Sequence, residues 1–283
     1  MTLSSSLGGL ISYAGGEAGA ARFLAASRGL PVIIDSGAWS VFRGAAKVEP
    51  IAHAEAVLRL QSGHPEARFI GLDVIGDPEA SFRNWTSQRE SGARVEPTIH
   101  LGVSVEDARR YFERMDPGEW VNLGGMAHLQ RRSAMRSLAG WAATIMREAP
   151  HLRFHALGAV TPYLLDRLPF DSADSTYWKL PLVLGRRLSL FSVKGRSWVG
   201  VDCRRGSVST YRSAGRHADV LRSYGVELAD WPDLSQDDDA LLRLSVESHR
   251  RLVRYVEGRH RKPFTAYLAA ISVGDLPLLQ EET

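Results

Sequence analysis

The chain has one cysteine, Cys203, among its 283 residues. A single thiol cannot form an internal disulfide, and it cannot supply a zinc or iron–sulfur site that needs several cysteine ligands. No stretch approaches the roughly 18 consecutive apolar residues of a membrane-spanning helix, which argues against an integral membrane protein. A chain without cysteine pairs is typical of a reducing compartment, and we therefore expect a cytoplasmic protein.

Glycine-rich phosphate loops are also missing. Neither Gly-x-Gly-x-x-Gly nor Gly-x-x-x-x-Gly-Lys-Ser/Thr follows a predicted strand, so the usual nucleotide site of an open doubly wound sheet has no counterpart here. Eight short β-branched runs alternate with helical segments, which favours a (β/α)8 TIM barrel over that open sheet. The predicted strands are Gly9–Tyr13, Pro31–Asp35, Arg68–Asp73, Val95–His100, Trp120–Gly124, Arg153–Leu157, Phe170–Asp174 and Leu188–Val193.

The alternation stops after the eighth run. We predict a barrel over residues 1–196 and an appendage packed on it over residues 197–283. A hairpin is expected at Ser197–Tyr211, followed by helices around Ala214–Tyr224 and Asp237–Glu257.

Charge is unevenly distributed along the chain. Lysine and arginine total 35 against 32 acidic residues, and residues 1–185 carry 19 of each sign. Residues 186–222 carry nine cations against two aspartates, which is typical of a footprint for a polyanion but also of a solvated arginine-rich surface. We favour nucleic acid. The cations predicted to contact it are Arg186, Arg187, Lys194, Arg196, Arg204 and Arg205.

Three predicted strands end in aspartate, at Asp35, Asp73 and the Asp171/Asp174 pair. Catalytic groups of a βα barrel come from the carboxyl ends of its strands. Converging carboxylates indicate a hard-metal site, a glycosyl-transfer pair or recognition of a ligand rich in hydrogen-bond donors. Helix capping is the alternative, and it explains one or two of the aspartates more readily than all three.

Other candidates are weaker. His151 and His155 are too far apart on one strand to act as a ligand pair, so we interpret them as structural histidines. Cys203 has no histidine base beside it in sequence, and its position in a basic run is interpreted as incidental. The aromatic residues that follow the aspartate motifs, Trp39, Tyr177 and Trp178, are candidates either to stack on a nucleobase or to pack at the barrel rim.

Several of these motifs together carry a family resemblance. Asp35-Ser36-Gly37-Ala38-Trp39 resembles the Asp-Ser-Gly-Gly-aromatic motif of the tRNA-guanine transglycosylase superfamily, and Leu72-Asp73, Leu123-Gly124-Gly125-Met126 and Asp174-Ser175 follow in the family's order. The chain is most similar to the phage-type branch, whose members replace guanine in DNA by a 7-deazaguanine. The motifs typical of that branch are Leu72–Ala80, Ile99-His100-Leu101-Gly102 and Asp174-Ser175-Thr176-Tyr177-Trp178. The resemblance spans roughly residues 8–180.

Two departures separate the chain from the tRNA enzymes. Those enzymes hold a structural zinc with three cysteines and a histidine, which one cysteine cannot reproduce. They also carry a glycine-glutamate element where Ala127-His128-Leu129-Gln130 stands here. Both departures make DNA the expected substrate rather than tRNA.

The resemblance implies a complete set of roles. Asp174 would be the nucleophile that forms a covalent glycosyl-enzyme, and Asp35 would exchange protons with the leaving and incoming bases. Asp73 would accept the N1–H and 2-amino hydrogens of guanine. The other implied base-binding residues are His100, Gly124, Gly125, Ser36, Trp39 and Trp178. The implied partners are DNA and a 7-deazaguanine such as preQ0, with no metal and no cofactor, in the host cytoplasm if a phage encodes the protein.

Three alternatives remain at this point. An RNA-directed transglycosylase would use the same chemistry on another polymer. A nucleoside or glycoside hydrolase on the same barrel would share the carboxylate pair, but the basic stretch would then have no purpose. A non-enzymatic binding paralogue should have lost its nucleophile, whereas Asp35, Asp73 and Asp174 are all present.

Overall fold

A curled sheet of eight parallel strands forms the centre of the structure, a computed structural model that describes residues 6–125, 132–179, 182, 186–204, 208–269 and 273–280. The strands of this sheet are β1 Ser6–Ser12, β2 Val32–Asp35, β3 Arg68–Phe69, β4 Thr98–His100, β5 Trp120–Gly124, β6 Arg153–Ala156, β7 Ser172–Ser175 and β10 Thr265–Ala269. Their order in the sheet is β3-β2-β1-β10-β7-β6-β5-β4.

The two outer strands of this order approach each other. A parallel bridge joins Ile70, just after β3, to Glu96, just before β4. Two backbone hydrogen bonds accompany it, from the Gly71 amide to the Glu96 carbonyl at 2.9 Å and from the Glu96 amide to the Phe69 carbonyl at 2.8 Å. The sheet therefore curls far enough to bring Ile70 and Glu96 together.

Helices flank the sheet, as the alternating pattern predicts. Several begin at the capping residues expected of helix N-termini: the Asp77 carboxylate accepts the Ala80 amide at 2.8 Å, and the Ser104 hydroxyl accepts the Asp107 amide at 3.0 Å. The helices are α1 Glu17–Ala26, α2 Ala38–Phe42, α3 Pro50–Gly63, α4 Pro78–Glu90, α5 Val105–Phe112, α6 Arg132–Glu148, α7 Pro162–Leu165, α8 Val208–Arg216, α9 Ala218–Ser223, α10 Trp231–Leu234, α11 Asp238–His260 and α12 Leu276–Gln280.

Burial follows the two faces of the sheet. A small cluster of Leu10, Ile33, Ile70 and Tyr267 lies apart from the main core. The neighbouring strand residues, such as Ile34 and Phe69, pack with the helices in one large hydrophobic core. Successive strand residues point to opposite faces, which accounts for Ile33 and Ile34 belonging to different clusters. No helix of the described residues is long and apolar enough to cross a membrane.

The prediction that Leu188–Val193 is the eighth strand of the barrel is wrong. Residues Arg187–Ser192 form β8, which pairs antiparallel with β9, Ser197–Asp202, in a separate two-stranded sheet. The eighth strand of the large sheet is instead β10, which lies between β1 and β7. An apolar run has the same sequence pattern in a hairpin and in a barrel, while the small alanines of Thr265–Ala269 give a weak strand signal.

The predicted hairpin at Ser197–Tyr211 is also replaced. Ser197–Asp202 is the second strand of the β8–β9 hairpin, and α8 follows from Val208. The predicted boundary between residues 196 and 197 therefore falls in the turn of that hairpin. Around it lies a separate hydrophobic core, made by Leu188, Leu190, Val201, Cys203, Ala214, Leu221, Val226, Trp231 and Leu241.

Candidate functional site

The aspartates predicted at the strand ends gather at one edge of the sheet. Asp35 ends β2, Asp73 follows β3, and Asp174 lies in β7. All strands of the sheet are parallel, so their carboxyl ends share that edge. The three carboxyls also share one electrostatic environment. Burial and, to a smaller extent, the negative charges of Asp73 and Asp174 together raise the pKa of Asp35 to about 7.

Asp35 is placed by a tight turn. The Gly37 amide donates to its Oδ2 at 3.1 Å and thereby favours the ionised form, although this effect is smaller than that of burial. Gly37 has φ +80°, and a Cβ atom there would lie 2.9 Å from the Ala14 amide nitrogen. The glycine of the Asp-Ser-Gly motif is therefore required by the backbone. With a pKa near neutrality, Asp35 is suited to both accept and donate a proton.

Asp73 is held by two neighbours that were predicted to contact substrate. His100 Nε2 lies 2.7 Å from its Oδ2, and the Ser36 hydroxyl donates to its Oδ1 at 3.2 Å. An ionised carboxylate has about four acceptor positions, so both oxygens keep capacity for a ligand. Asp73 is 8% exposed. His100 and Ser36 therefore fix the orientation of the Asp73 carboxylate, whose two oxygens form a pair of acceptors.

Asp174 has two partners on a single oxygen. Its Oδ1 accepts the Gly158 amide at 2.5 Å and lies 3.2 Å from His155 Nε2. Within the described residues no hydrogen bond reaches its other oxygen, Oδ2. The residue is only 6% exposed, and Tyr267 of β10 is its neighbour in register. One oxygen is anchored and the other is available.

Asp171 occupies a different place. Its Oδ2 accepts the Phe154 amide at 2.9 Å, and its Oδ1 pairs with Lys262 Nζ at 2.9 Å. Both contacts lie at the amino-terminal end of β7, since Asp171 precedes that strand and its backbone carbonyl accepts from Thr265, the first residue of β10. The two aspartates of the Asp171/Asp174 pair are therefore at opposite ends of the strand.

The aromatic residues differ in exposure. Trp39 is 45% exposed and stacks on Phe42, with ring centroids 5.7 Å apart. Tyr177 is 42% exposed. Trp178 is fully buried, and its indole nitrogen donates to the Ala269 carbonyl at 2.9 Å. Trp178 therefore packs against the end of β10, and its role in substrate binding stays a prediction.

Gly124 and Gly125 end β5 beside His100. His100 is the register neighbour of Gly124, whose carbonyl accepts the Leu101 amide at 3.0 Å. Gly125 has φ +81° and is exposed. Met126 and the Ala127–Gln130 segment lie outside the described residues. Beside His100 there is a cavity of about 360 Å³, lined also by Gly76, Pro78, Leu101, Ser104, Asp107 and Tyr111.

The cations of residues 186–222 that the structure describes do not form one basic surface. Arg186 pairs with Asp238, at the start of α11, at 2.7 Å, whereas Arg196 lines a hollow with Arg254 and Arg259 near the end of that helix. These positions are separated by roughly 25 Å along α11. The β8–β9 hairpin therefore places Arg186 near one end of α11 and Arg196 near the other. The linear sequence does not reveal this separation.

Several of these cations are also neutralised. Arg204 pairs with Asp202 at 2.5 Å, and Arg222 pairs with Asp219 at 3.1 Å. Burial lowers the pKa of His217, and the charges of Arg216 and Arg187 lower it further, so each of these arginines lies near His217. Arg205 lies outside the described residues. Within the described part of the chain, the exposed cations of this stretch without an ion pair are Arg187, Lys194, Arg196, Arg212 and Arg216.

Sequence reasoning did not connect His155 with Asp174, and it did not identify Arg68. His155 is fully buried in β6, where it contacts Asp174 and Ser172, and Arg68 reaches Ser172 from β3. The available signal was that Ser172 and Asp174 are two apart on one strand and so share a face. Cys203 is buried, which raises the pKa of its thiol to about 12 and makes it a poor nucleophile at neutral pH.

No group of three His, Cys, Asp or Glu side chains is arranged to hold a metal ion in the part of the chain that the structure describes. The chain matches no family model and no curated protein. An assignment of function therefore depends on the chemistry that the site itself permits.

Proposed function

We propose that this chain exchanges guanine in DNA for a 7-deazaguanine base through a covalent aspartyl-glycosyl intermediate. The observation that carries the proposal is the pairing of two carboxyls at one edge of the sheet. Asp174 has one anchored and one available oxygen, and Asp35 has a pKa of about 7. A nucleophile and a group that transfers protons at neutral pH are what a retaining exchange requires.

The first half-reaction releases guanine. Asp174 Oδ2 attacks C1′ from the face opposite the base, and the C1′–N9 bond breaks with its electron pair going to guanine. Protonated Asp35 donates its proton to the leaving base. The sugar is then linked to Asp174, with its configuration inverted once.

The second half-reaction is the reverse of the first with a different base. Ionised Asp35 takes the N9 proton of the incoming 7-deazaguanine, and N9 attacks C1′. The bond from C1′ to Asp174 breaks, and its electron pair returns to the carboxylate. Two inversions restore the original configuration, and both aspartates return to their starting protonation states. The chain's own carboxyls carry every step.

Base recognition is assigned to Asp73. Guanine presents N1–H and its 2-amino group side by side, and one carboxylate can accept both. Ser36 and His100 orient the Asp73 oxygens for this contact. Backbone amides of Gly124 and Gly125 are proposed to meet the O6 carbonyl, because glycine allows close approach.

The proposal also includes a closed (β/α)8 barrel. The parallel bridge between Ile70 and Glu96, with its two backbone hydrogen bonds, supports closure between β3 and β4. In such a barrel the strand ends that carry Asp35, Asp73, His100 and Asp174 surround one mouth. This is where the substrate would enter.

A polymeric substrate is favoured by the surface of the same rim. Exposed Trp39, in the helix that follows Asp35, can stack on a base, and a base in duplex DNA must leave its stack to reach the carboxyls. Arg187, at the start of β8, and Arg216 are both exposed, and each lies near His217. They are proposed to contact backbone phosphates.

The test is a parallel exchange assay. Labelled guanine and a labelled 7-deazaguanine are offered to the protein with duplex DNA and with tRNA, and the Asp174→Asn variant serves as the inactive control. Label incorporated into DNA by the wild type alone supports the proposal. Incorporation only into tRNA would assign an RNA substrate, and release of base without incorporation would assign a hydrolase. Absence of all three would overturn it.

A further inference from the structure

A buried chain of hydrogen bonds leads to the oxygen that anchors Asp174. Arg68 Nη1 donates to the Ser172 hydroxyl oxygen at 3.1 Å, Ser172 Oγ lies 2.8 Å from His155 Nδ1, and His155 Nε2 lies 3.2 Å from Asp174 Oδ1. Ser172 and His155 are both fully buried. The chain starts beside Arg68, in β3, and crosses β6 and β7.

The far end of this chain is a fixed positive charge. Arg68 makes a bidentate ion pair with Glu96, with both N–O distances at 2.7 Å, and its guanidinium lies 3.6 Å from the centre of the Trp120 ring. Asn122 also donates to Glu96 at 3.2 Å. An arginine in this setting stays protonated and has donors only.

The donor-only guanidinium favours one direction for the bonds in the chain. Because Arg68 can only donate, the Ser172 oxygen is an acceptor, and its single hydrogen is free to point at His155 Nδ1. An accepting Nδ1 in a neutral imidazole requires the hydrogen on Nε2. Nε2–H then faces Asp174 Oδ1. Burial lowers the pKa of His155 more than the hydrogen bond to Asp174 raises it, and the charge of Arg68 adds to the lowering, which favours a neutral ring.

We propose that His155 is a positioning residue for the nucleophile, fixed as its Nε2–H tautomer by Ser172 and Arg68 so that Asp174 Oδ1 is held and Oδ2 faces the substrate. The inference rests on the proposed function in taking Asp174 as the nucleophile. The tautomer itself is a property of the free protein, and it can be tested whether or not any base is exchanged.

The two carboxylate oxygens of Asp174 have different roles in this arrangement. Oδ1 accepts from both His155 and the Gly158 amide, which restrains rotation of the carboxylate. Oδ2 keeps its lone pairs for C1′. An imidazole in the other tautomer would present a lone pair to Oδ1, and the repulsion would turn the carboxylate away.

The first experiment reads the tautomer directly. Long-range nitrogen–proton NMR spectra of protein labelled with 15N-histidine are recorded at neutral pH, and His155→Gln assigns the resonances. We expect a neutral ring with its hydrogen on Nε2 in the wild type. Ser172→Ala removes the donor to Nδ1 and should shift the population toward Nδ1–H, and Ser172→Thr should restore the wild-type spectrum. An Nδ1–H ring or a charged ring in the wild type would overturn the proposal.

The second experiment separates positioning from folding. His155→Gln can keep a donor aimed at Asp174, whereas His155→Leu cannot. Misplacement of a reacting group by about 1 Å can cost roughly 100-fold in rate, so the leucine variant should trap DNA covalently about 100-fold more slowly at unchanged DNA affinity, with the glutamine variant within tenfold of wild type. Equal losses in both variants, tracking their melting temperatures, would assign His155 a purely structural role.

The two proposals fail differently. A wild type that traps no polynucleotide but shows the Nε2–H ring, with its response to Ser172→Ala, would remove the exchange function and retain the hydrogen-bond chain. A wild type that exchanges bases with the ring in the other tautomer would do the opposite. If His155→Leu does not fold, Ser172→Ala is expected to slow trapping in the same direction, and unaltered trapping despite a shifted tautomer would contradict the positioning role.

Discussion

His100 packs directly over Gly124: a Cβ atom on residue 124 would lie 2.9 Å from His100 Nδ1 and 3.0 Å from Thr98 Cγ2. The missing side chain gives the imidazole the space from which Nε2 reaches Asp73. The glycine of β5 and the histidine of β4 therefore form one unit of the base-binding region.

Substitution of this glycine should disturb recognition of the base. Gly124→Ala displaces the His100 ring, and Asp73 loses one of its two side-chain partners, so we expect the KM for the incoming base to rise about tenfold, the loss of roughly one hydrogen bond to a charged group. Gly140→Ala, on the exposed face of α6, is the matched control because nothing lies within 4 Å of its added methyl group. Equal KM values for the two variants would contradict the role given to His100.

Asp174, in β7, and Asp171, just before it, should respond in opposite ways. Asp174→Asn keeps the side-chain shape but removes the nucleophilic charge, so covalent trapping of the polynucleotide should vanish while binding persists. Asp171→Asn weakens the contact with Lys262 and should lower the melting temperature but retain trapping. Both are measured by denaturing electrophoresis of trapped complexes and by thermal unfolding. Trapping that survives at 174 and disappears at 171 would reverse the assignment.

The rate of exchange should depend on the ionisation of Asp35. Its pKa of about 7 predicts a change in kcat/KM centred near neutral pH. Burial is the main cause of the raised pKa, and the charge of Asp73 is the next. Asp73→Asn removes that charge and should move the inflection to lower pH, apart from its effect on base affinity. The measurement is a pH–rate profile for both proteins, and an inflection that stays in place would remove Asp73 from the environment of Asp35.

Asp35 should also make the fold less stable at high pH. Its pKa rises from 3.8 to about 7 on folding, so the folded state favours the neutral carboxyl and stability falls as the pH rises through that window. Above pH 7 ionisation of Asp35 lowers the free energy of unfolding by at most about 4 kcal/mol, at 1.36 kcal/mol per pKa unit. Asp35→Asn should therefore raise the free energy of unfolding at pH 8 and change it little at pH 4. Denaturant titrations at both values provide the check.

The split of the basic residues makes a specific prediction for DNA binding. Each phosphate contact contributes about −0.9 to the slope of log K against log salt concentration. Arg187→Glu with Arg216→Glu should flatten that slope by about 1.8 or more. Lys194→Glu with Arg196→Glu makes the same change in charge at the turn of the β8–β9 hairpin and should leave it nearly unchanged. Equal slopes in the two double variants would show that neither end of the hairpin is favoured by the polymer.

The residues at the carboxyl ends of the strands could be predicted from the sequence, whereas the buried contacts that hold them could not. Asp35 and Asp73 follow short apolar runs with turn residues after them, and the rule that parallel strands share a carboxyl edge brings them together. The partnership of His155 with Asp174 depends on which strands are neighbours and on their register. A lone histidine in a strand carries no such information.

The prediction that Leu188–Val193 is a barrel strand was wrong for a related reason. Leu188–Val193 has the apolar character of a barrel strand, and only its pairing with β9 distinguishes it. The true eighth strand follows the 23-residue helix Asp238–His260, so about 90 residues separate it from β7. An excursion of that length breaks the regular spacing on which the barrel pattern depends.

The position of β10 sets an order of events during synthesis. It is inserted between β1 and β7, with Ser6 opposite Thr265 and Asp174 opposite Tyr267. Until the ribosome has released Thr265–Ala269, β1 and β7 each present an unpaired edge, and such edges invite pairing with other chains. Contacts between the first and the last strand close a very long loop, which slows folding. The strand that bears Asp174 therefore gains its second neighbour only after Thr265–Ala269 has been made. Nascent chains that stop short of these residues carry the aspartate without β10 beside it.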